Sequence, residues 1–158
     1  MTLAVDVSFG TRRPWVPSQA RLAEWARAAA GRRGARATVA IRVVTPAESR
    51  RLNRDYRGKD KPTNVLSFPA DIEAAVLLAT SEAKPLGDLA ICAGVVAREA
   101  RGQRKARTAH WAHMVVHGTL HLLGYDHDDE GDARRMERRE RLLLAKLGFP
   151  DPYRTANG

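Results

Sequence analysis

The sequence contains little cysteine, few aromatic residues and no long run of apolar side chains. Its single cysteine, Cys92, can form no disulfide within the chain and cannot build a cysteine-rich zinc site. The longest uninterrupted apolar run covers residues 74–79, far short of the ~20 residues that a membrane-spanning helix requires. The first residues also lack the order of a secretory signal, which is a basic start, an apolar stretch and a small-residue cleavage site. We therefore expect a cytoplasmic protein with no membrane association.

The length and composition are those of a globular protein with one hydrophobic core. The chain has 158 residues, of which 44% are hydrophobic, 28% charged and 6% aromatic. A chain of this length can bury roughly 68–70% of the surface that its unfolded form exposes, so it can build a substantial core. No repeat or low-complexity tract divides the sequence. We therefore predict a single domain over residues 1–158.

The positive charge of the chain is concentrated in its first half. The formal net charge is +9, and residues 1–69 account for all of it, with 14 basic and 5 acidic side chains. Most of the basic residues are arginines, whose planar guanidinium suits phosphate oxygens. This excess favours a polyanionic partner, most simply a nucleic acid, although a genomic bias towards arginine and alanine would produce a similar composition.

Hydrophobic periodicity and end signals predict strands in the first half of the chain and helices in the second. Alternating apolar residues indicate four strands, at 2–8, 37–44, 65–68 and 86–92. Helical spacing and capping residues indicate five helices, at 17–30, 46–56, 93–103, 107–123 and 129–147. The stretch 70–85 fits neither pattern and is predicted to be a surface excursion with a helical turn at 74–79. The whole is typical of an α+β fold, with a small, mostly four-stranded sheet packed against several helices.

Three histidines are spaced as ligands of one metal ion. A helix advances about 100° per residue, so His117 and His121 lie one turn apart on the same helix face. Gly124 then allows the chain to turn, and His127 can return to the pair as a third ligand. Three protein nitrogens that leave a further position open are typical of a catalytic zinc site rather than a structural one. We therefore expect the three histidines to bind one divalent metal ion, with Zn²⁺ as the first candidate.

A class of zinc peptidases shares this spacing but differs at one residue. In metzincin peptidases the pattern is H-E-x-x-H-x-x-G-x-x-H, and the glutamate acts as the general base. Here the three histidines and the glycine match, whereas Gly118 occupies the position of the glutamate. The sequence therefore has the metal-binding half of the pattern and lacks the residue with which a peptidase transfers protons.

The remaining two histidines lie close to this motif. All five histidines of the chain fall between residues 110 and 127. His110 and His113 lie near the same stripe of the helix as His117 and His121. We interpret them as packing residues or as partners of the ligands, rather than as ligands themselves.

Three segments of the chain resemble those of one known family. The string HGTLHLLGYDH at 117–127, preceded by HWAHMVV, is similar to the signature of the YbeY family of bacterial metal-dependent endoribonucleases. The segment LNRDYRGKDKPTNVLSFP at 52–69 resembles a second block of that family, and LGDL at 86–89 resembles a third. The resemblance extends over about residues 37–153, with the segments in the expected order.

The resemblance implies a fold, an activity and a set of site residues. The implied fold is a zincin-like α+β domain in which a small sheet backs the metal-binding helix. The implied activity is hydrolysis of single-stranded RNA, in maturation of the 3′ end of small-subunit ribosomal RNA and in ribosome quality control. The implied partners are ribosomal RNA and the small subunit or its assembly factors. His117, His121 and His127 correspond to the metal ligands of the family, and Arg57 to an arginine that the family needs for activity.

Further residues suit a phosphodiester hydrolase. A guanidinium can clamp phosphate oxygens bidentately, so Arg57 can stabilise the charge that develops on the phosphate during hydrolysis. We expect Asp126 to orient its neighbour His127 or to accept a proton, with Asp88 as a second candidate for the general base. Cap or turn roles would explain both aspartates equally well. Basic side chains predicted to follow the RNA backbone are Lys59, Lys61, Arg98, Arg101, Arg104 and Lys105.

Two other functions remain open from the sequence. The histidine spacing alone is compatible with a metallopeptidase, against which Gly118 and the net charge argue. A ribosome-assembly factor that binds RNA around a largely structural metal ion would carry the same motifs and cleave nothing.

Overall fold

A four-stranded sheet is the scaffold on which the helices pack. The computed structural model describes residues 2–70 and 83–154. The strands in these residues are β1 (Ala4–Phe9), β2 (Ala37–Val44), β3 (Val65–Pro69) and β4 (Lys84–Cys92). The helices are α1 (Gln19–Ala30), α2 (Pro46–Arg57), α3 (Ala93–Gly102), α4 (Arg107–Leu122) and α5 (Glu130–Lys146), with a 3₁₀ turn at Gly31–Gly34. The predicted α+β fold and its four-stranded sheet are confirmed, whereas the helical turn predicted at 74–79 lies outside the described residues.

The sheet is mixed, and its antiparallel strand lies at one edge. The strand order is β1-β2-β4-β3. β2 pairs in parallel with both β1 and β4, whereas β3 runs antiparallel to β4, with Ser67 opposite Leu89. Consecutive residues of a strand point to opposite faces of the sheet. A single edge strand therefore contributes alternate side chains to two different layers of helices.

One face of the sheet carries the main hydrophobic core, and the other carries a smaller one. Alternate residues of β2 are buried in the main core, together with side chains of α1, α4 and α5: Val39, Ile41, Val43, Leu22, Trp25, Trp111, Leu120, Met136 and Leu144. The smaller cluster lies on the side of α2 and α3, and comprises Val44, Leu66, Ala90, Cys92 and Val95 with Leu52 and Phe68 against it. α4 is thus packed against β3 and β4 on one side and against α1, α3 and α5 on others, which fixes its position.

Local sequence signals account for where the helices begin and end. The side-chain oxygens of Ser18, Thr45 and Asp129 each accept a backbone N–H from the first turn of α1, α2 and α5, as N-cap residues do. Pro46 opens α2, where its missing N–H costs nothing. Gly58 follows α2 with φ 70°, the left-handed conformation in which glycine commonly ends a helix. None of the helices in the described part of the chain is long and apolar enough to cross a membrane.

Gly87 allows β3 and β4 to approach each other closely, and this gives a stability prediction. Gly87 has φ 141°, and a Cβ atom there would lie 2.3 Å from the Phe68 carbonyl oxygen and 2.9 Å from Pro69 Cα. Because both neighbours are backbone atoms, we expect Gly87→Ala to lower the free energy of unfolding by about 2–4 kcal/mol. Urea denaturation followed by circular dichroism measures the change.

Gly102→Ala is the matched control for this substitution. Gly102 ends α3, and a Cβ atom at that position would meet nothing within 4 Å. We expect this variant to be as stable as the parent or more stable by up to about 1 kcal/mol, since alanine favours the helix. Equal stability of the two variants would show that the strands separate readily at residue 87.

Candidate metal centre

His117 and His121 project from one face of α4 towards a common point. Their Nε2 atoms lie 3.1 Å apart, and their ring centroids are 4.6 Å apart. Both rings are partly exposed, although most of the helix around them is buried. Two imidazole nitrogens at this separation can share one proton or bind one ion.

The turn after α4 brings the third histidine back to this pair. Gly124 has φ 99°, and its N–H donates to the carbonyl of His121, while the N–H of Tyr125 donates to the carbonyl of Leu120. The guanidinium of Arg33 donates to the carbonyl of Leu123 at 2.6 Å, which satisfies one of the carbonyls that a helix end leaves without a partner. The chain reverses here because glycine alone reaches such a backbone angle without strain.

His127 completes the cluster from the exposed side. Its ring centroid lies 5.0 Å from that of His121 and 6.0 Å from that of His117. One nitrogen from each of the three rings lies within 4.8 Å of the others. Zinc–nitrogen bonds of about 2.0–2.1 Å in a tetrahedral arrangement place ligand nitrogens ~3.3 Å apart, close to the Nε2 separation of the first two histidines. The structure therefore brings together the three histidines that the spacing predicts, and their donor atoms fit a single ion.

A buried carboxylate contacts the other nitrogen of His117. Glu140 of α5 has no exposed surface, and its Oε2 lies 3.3 Å from His117 Nδ1 and 2.5 Å from His113 Nε2. Its Oε1 accepts the hydroxyl of Tyr153 at 2.8 Å. Burial alone would raise the pKa of Glu140, but the hydrogen bonds from His113 and His117 outweigh it and lower the pKa to about 2. The carboxylate is therefore ionised at neutral pH.

Two partners of this carboxylate, His113 and Tyr153, are neutral donors. Burial lowers the pKa of His113 despite the neighbouring charge of Glu140, so its imidazole is uncharged at neutral pH. Its Nε2 donates to the carboxylate, and its buried Nδ1 has no hydrogen-bond partner among the described residues. Burial and the same carboxylate raise the pKa of Tyr153, which keeps its phenol protonated and able to donate.

His113, His117 and Glu140 also lie close enough together to be considered as ligands of a second ion. However, His113 Nε2 and Glu140 Oε2 are already in direct hydrogen-bond contact, and ligand atoms around an ion with bonds of about 2 Å lie roughly 3 Å apart. The cluster is therefore a hydrogen-bond network behind the three-histidine centre rather than a second metal site.

The sequence interpretation missed Glu140, although a signal was present. The buried positions of α5 are Met136, Glu140, Leu143 and Leu144, which follow the spacing of a core-facing stripe. An acidic residue within an apolar stripe marks a buried charge that needs partners, and this pattern could have singled out Glu140.

The two aspartates proposed as general bases have different positions. Asp126 is exposed next to His127, and its Oδ1 accepts the backbone N–H of His127 at 2.7 Å, which lowers the pKa of Asp126. Asp88 is exposed in β4, where the next residue, Leu89, faces α4. Because alternate residues point to opposite faces, Asp88 lies on the side of the sheet away from the histidines. The structure brings Asp126 to the histidine cluster and does not bring Asp88 there.

Arg57 lies at the start of a basic loop that α2 holds in place. The side-chain amide of Asn53 donates to the carbonyl of Lys61 at 2.8 Å, and Ser49 Oγ accepts the N–H of Thr63 at 2.9 Å. Asn53 and Ser49 are both buried, so these bonds anchor the loop to the helix. Arg57 itself is exposed and has no hydrogen-bond or ion-pair partner among the described residues. Its guanidinium is therefore available to an external anion.

The edge strand β3 links this loop to the metal-binding helix. Tyr56, next to Arg57, packs edge-to-face on Phe68 of β3 with ring centroids 5.1 Å apart. On the other face of the same strand, Ser67 Oγ donates to the carbonyl of Gly118 in α4 at 3.3 Å. The end of α2 and the histidine-bearing helix thus lie on the two sides of one edge strand.

The other residues predicted to follow the RNA backbone are mostly exposed. Exposed members of this set are Lys59, Lys61, Arg98, Arg101 and Arg104. Lys105 differs, because it is half-buried and its ammonium donates to the carbonyl of Pro152 at 2.5 Å. Burial also lowers the pKa of Lys105. Its charge is thus already engaged within the protein, whereas the other five side chains face solvent.

A cleft of about 520 Å³ lies beside the N-terminal half of α4. It is lined in part by His110, His113, Asn64, Glu99 and Tyr153. The carboxylate of Glu99 contacts His110 Nε2 at 2.9 Å and accepts the side-chain amide of Asn64 at 3.0 Å. Burial alone would raise the pKa of Glu99, but these contacts outweigh it and lower the pKa. His113 contributes both to this cleft and to the network behind the metal centre, so the two features are contiguous.

Gly118 fills the position of the peptidase glutamate for a packing reason. A Cβ atom there would lie 2.8 Å from Leu89 Cδ2 and 3.2 Å from Val65 Cγ2. The glycine therefore lets α4 pack directly on β3 and β4, and a larger side chain would require the sheet residues to move. The position at which a peptidase has its glutamate is therefore occupied here by a residue that packs against the sheet.

Comparisons with known proteins agree with the sequence resemblance. The family model described as Endoribonuclease YbeY matches residues 17–148. The match includes α1, which lies before the segments that resemble the family in the sequence. An endoribonuclease YbeY of Halorhodospira halophila is 53% identical over 137 residues, which are 87% of this chain and 88% of the relative. The solution structure of TM1509 from Thermotoga maritima matches with a TM-score of 0.55 and 22% identity, over 95% of this chain and 99% of that one. This last likeness concerns the fold alone.

Proposed function

Because the chain belongs to the YbeY family of endoribonucleases, we propose that it hydrolyses single-stranded RNA at a metal centre formed by His117, His121 and His127. The observation that carries the proposal is the convergence of three imidazole nitrogens within 4.8 Å at the end of α4. The convergence depends on a helical turn, a glycine with a positive φ and a capped helix end. These features supply the ligands of one ion without any acidic ligand.

Of the divalent ions that imidazole ligands suit, which include zinc, nickel, copper and iron, we propose Zn²⁺. Imidazole nitrogens are common zinc ligands, and three of them leave a position for solvent or substrate. When bound, the ion supplies a Lewis acid for a phosphate oxygen and lowers the pKa of a water molecule. The histidines hold this centre at a partly exposed surface, where a long polymer can approach it.

We assign the binding of phosphate to the exposed basic residues. Arg57 has a guanidinium with no internal partner, which suits it to the phosphate group at which cleavage occurs. Lys59 and Lys61 follow it on the same anchored loop, while Arg98, Arg101 and Arg104 lie in and just after α3. Their role in the proposal is to bind neighbouring phosphates along the strand. Lys105 contributes less, because its ammonium is bonded to Pro152.

Asp126 has a positioning role in this proposal. Its carboxylate accepts the backbone N–H of His127, and this bond fixes the turn from which His127 reaches the other two histidines. Of the two roles that the sequence left open for Asp126, orientation of a ligand is the one that the hydrogen bond supports.

We further propose that the substrate is ribosomal RNA and that the protein acts in the cytoplasm. Processing at the 3′ end of the small-subunit RNA and quality control of ribosomes are the activities that the sequence resemblance implies. The basic excess of residues 1–69 suits an RNA-rich partner such as the small subunit or an assembly intermediate. A peptidase function is disfavoured, because Gly118 occupies the position of the required glutamate and a side chain there would displace Leu89.

Cleavage of a labelled single-stranded RNA by the zinc-loaded protein tests the proposed function. We expect the single strand to be cut and a duplex of the same sequence to be spared. A chelator should abolish cleavage, and added Zn²⁺ should restore it. His117→Ala, purified in parallel, should be inactive, because it lacks one ligand of the centre.

Three other outcomes would contradict the proposal in distinguishable ways. Cleavage that survives in His117→Ala would come from a contaminating nuclease. A zinc-replete parent that binds RNA without cutting it would be an assembly factor with a structural metal. Hydrolysis of an unfolded protein substrate that is lost in His117→Ala would identify a peptidase.

A further inference from the structure

We propose that Glu140 is a positioning residue of the metal centre, whose buried carboxylate holds His117 with Nε2 directed at the other two histidines. The inference rests on the proposed function, since it concerns the same centre. It assigns a role to a residue of α5 that supplies no ligand itself.

The contact with Glu140 determines which nitrogen of His117 is free. Nδ1 lies 3.3 Å from Glu140 Oε2, on the side of the ring away from His121, so Nδ1 is the nitrogen that donates to this carboxylate. In a neutral imidazole the other nitrogen then has a lone pair. That nitrogen, Nε2, is the one that faces Nε2 of His121. The carboxylate therefore selects the tautomer that can bind a metal ion, as carboxylates behind metal-binding histidines commonly do.

The carboxylate is held from separate parts of the chain. His113 and His117 of α4 contact Oε2, and Tyr153, beyond α5, donates to Oε1. Tyr153 is itself fixed, because its ring packs edge-to-face on His113 and lies under the guanidinium of Arg141. A carboxylate held by three donors cannot rotate freely, so the orientation of His117 is set before any ion arrives.

The buried charge of Glu140 lacks a cationic partner of its own. Within residues 2–70 and 83–154, its ion-pair contacts are to His113 and His117, and neither an arginine nor a lysine reaches it. Hydrogen bonds from three donors stabilise this carboxylate, and no permanently charged side chain of these residues adds to them. A divalent cation on the far side of the His117 ring would compensate this charge, so the carboxylate favours the metal-bound state over the metal-free state.

Zinc affinity, measured by competition with a chromogenic chelator at neutral pH, tests the inference without any RNA. We expect Glu140→Gln, which keeps the shape and removes the charge, to bind Zn²⁺ about 10–100-fold more weakly than the parent. Tyr153→Phe should weaken binding less, since it removes only one support of the carboxylate. Glu140→Asp, which retains the charge on a shorter side chain, should recover part of the affinity.

Glu137→Gln is the matched control, and the fold is followed separately. Glu137 lies on the same helix but is partly exposed and pairs with Arg141, so its substitution should leave zinc affinity unchanged. Circular dichroism and thermal melting of the metal-free proteins report whether each variant folds. A merely structural role for Glu140 would lower the melting temperature without changing the zinc affinity of the folded protein.

Zinc affinity of folded Glu140→Gln equal to that of the parent would overturn the inference. If that variant does not fold, unchanged affinity in Tyr153→Phe would overturn it instead, since that substitution removes no charge and only one hydroxyl. These results are separate from the proposed function. A parent that binds Zn²⁺ through its histidines but cuts no RNA would refute the nuclease and leave the role of Glu140 standing.

Discussion

Replacing His121 by alanine is expected to abolish metal binding and RNA cleavage while leaving RNA binding close to that of the parent. In the proposed centre His121 supplies one of three ligand nitrogens, and two histidines alone would hold an ion far more weakly. Loss of a residue behind the ligands typically costs 10–100-fold in metal affinity, so loss of a ligand should cost more than about 100-fold. The exposed basic side chains that we propose to contact phosphate lie in or just after α3 and in the loop after α2.

The three effects can be measured on one preparation. Metal binding is measured as the metal content after dialysis, RNA binding by fluorescence anisotropy with a labelled RNA, and cleavage by an activity assay. His110→Gln is the comparison, because His110 lies on the same helix but contacts Glu99 rather than the ion-binding nitrogens. It should retain one ion per chain. Cleavage by a metal-free His121→Ala variant would show that the histidines are not the reaction centre.

Arg57→Ala is expected to lower kcat for RNA cleavage by about 10²–10³ with little change in KM, as for loss of a group that stabilises the transition state. The side chain is exposed and has no hydrogen-bond or ion-pair partner among the described residues, so we expect its removal to change stability little. Arg57→Lys should recover only part of the rate, because an ammonium cannot form the two parallel hydrogen bonds of a guanidinium. Steady-state kinetics at several salt concentrations give the measurement.

Two further variants distinguish a direct effect of Arg57 on the chemical step from a general loss of positive charge. Arg51→Ala, an exposed position on the same helix near Glu48, removes the same charge and should change the rate only slightly. Lys61→Ala should raise KM and reduce the salt dependence of binding, as expected for a contact to the RNA backbone. If Arg57→Ala behaved like Lys61→Ala, Arg57 would belong to the binding surface and not to the reaction centre.

Most of the fold could be predicted from local patterns in the sequence. The strand at 37–44 and the helix starting at Pro46 were predicted with the observed bounds or within one residue, because alternation, a threonine cap and a proline coincide there. The pairing of the strands could not be predicted, since it depends on contacts between distant segments. The antiparallel edge position of β3 and the close approach at Gly87 became visible only in the structure.

The candidate metal centre likewise contains residues that the sequence predicted and residues that only the structure revealed. His117, His121 and the glycine that turns the chain towards His127 are close in sequence, so their spacing alone predicted that they would meet. Glu140 and Tyr153 come from later segments, and their contacts with His113 and His117 depend on how α5 packs on α4. Asp88 shows the reverse case, because a polar residue in a family-like motif proved to face the other side of the sheet.

The packing of Gly118 also constrains how this protein can change over evolutionary time. The three-histidine centre would suit either a nuclease or a peptidase, and on paper one codon separates the two. A glutamate at residue 118 would also require the side chains of Leu89 and Val65 to move, since its Cβ atom alone would lie 2.8 Å and 3.2 Å from them. Leu89 belongs to the main hydrophobic core, so that movement would have to be accommodated within the core. A contact between helix and sheet, rather than the metal centre itself, thus disfavours the one substitution that a peptidase would need.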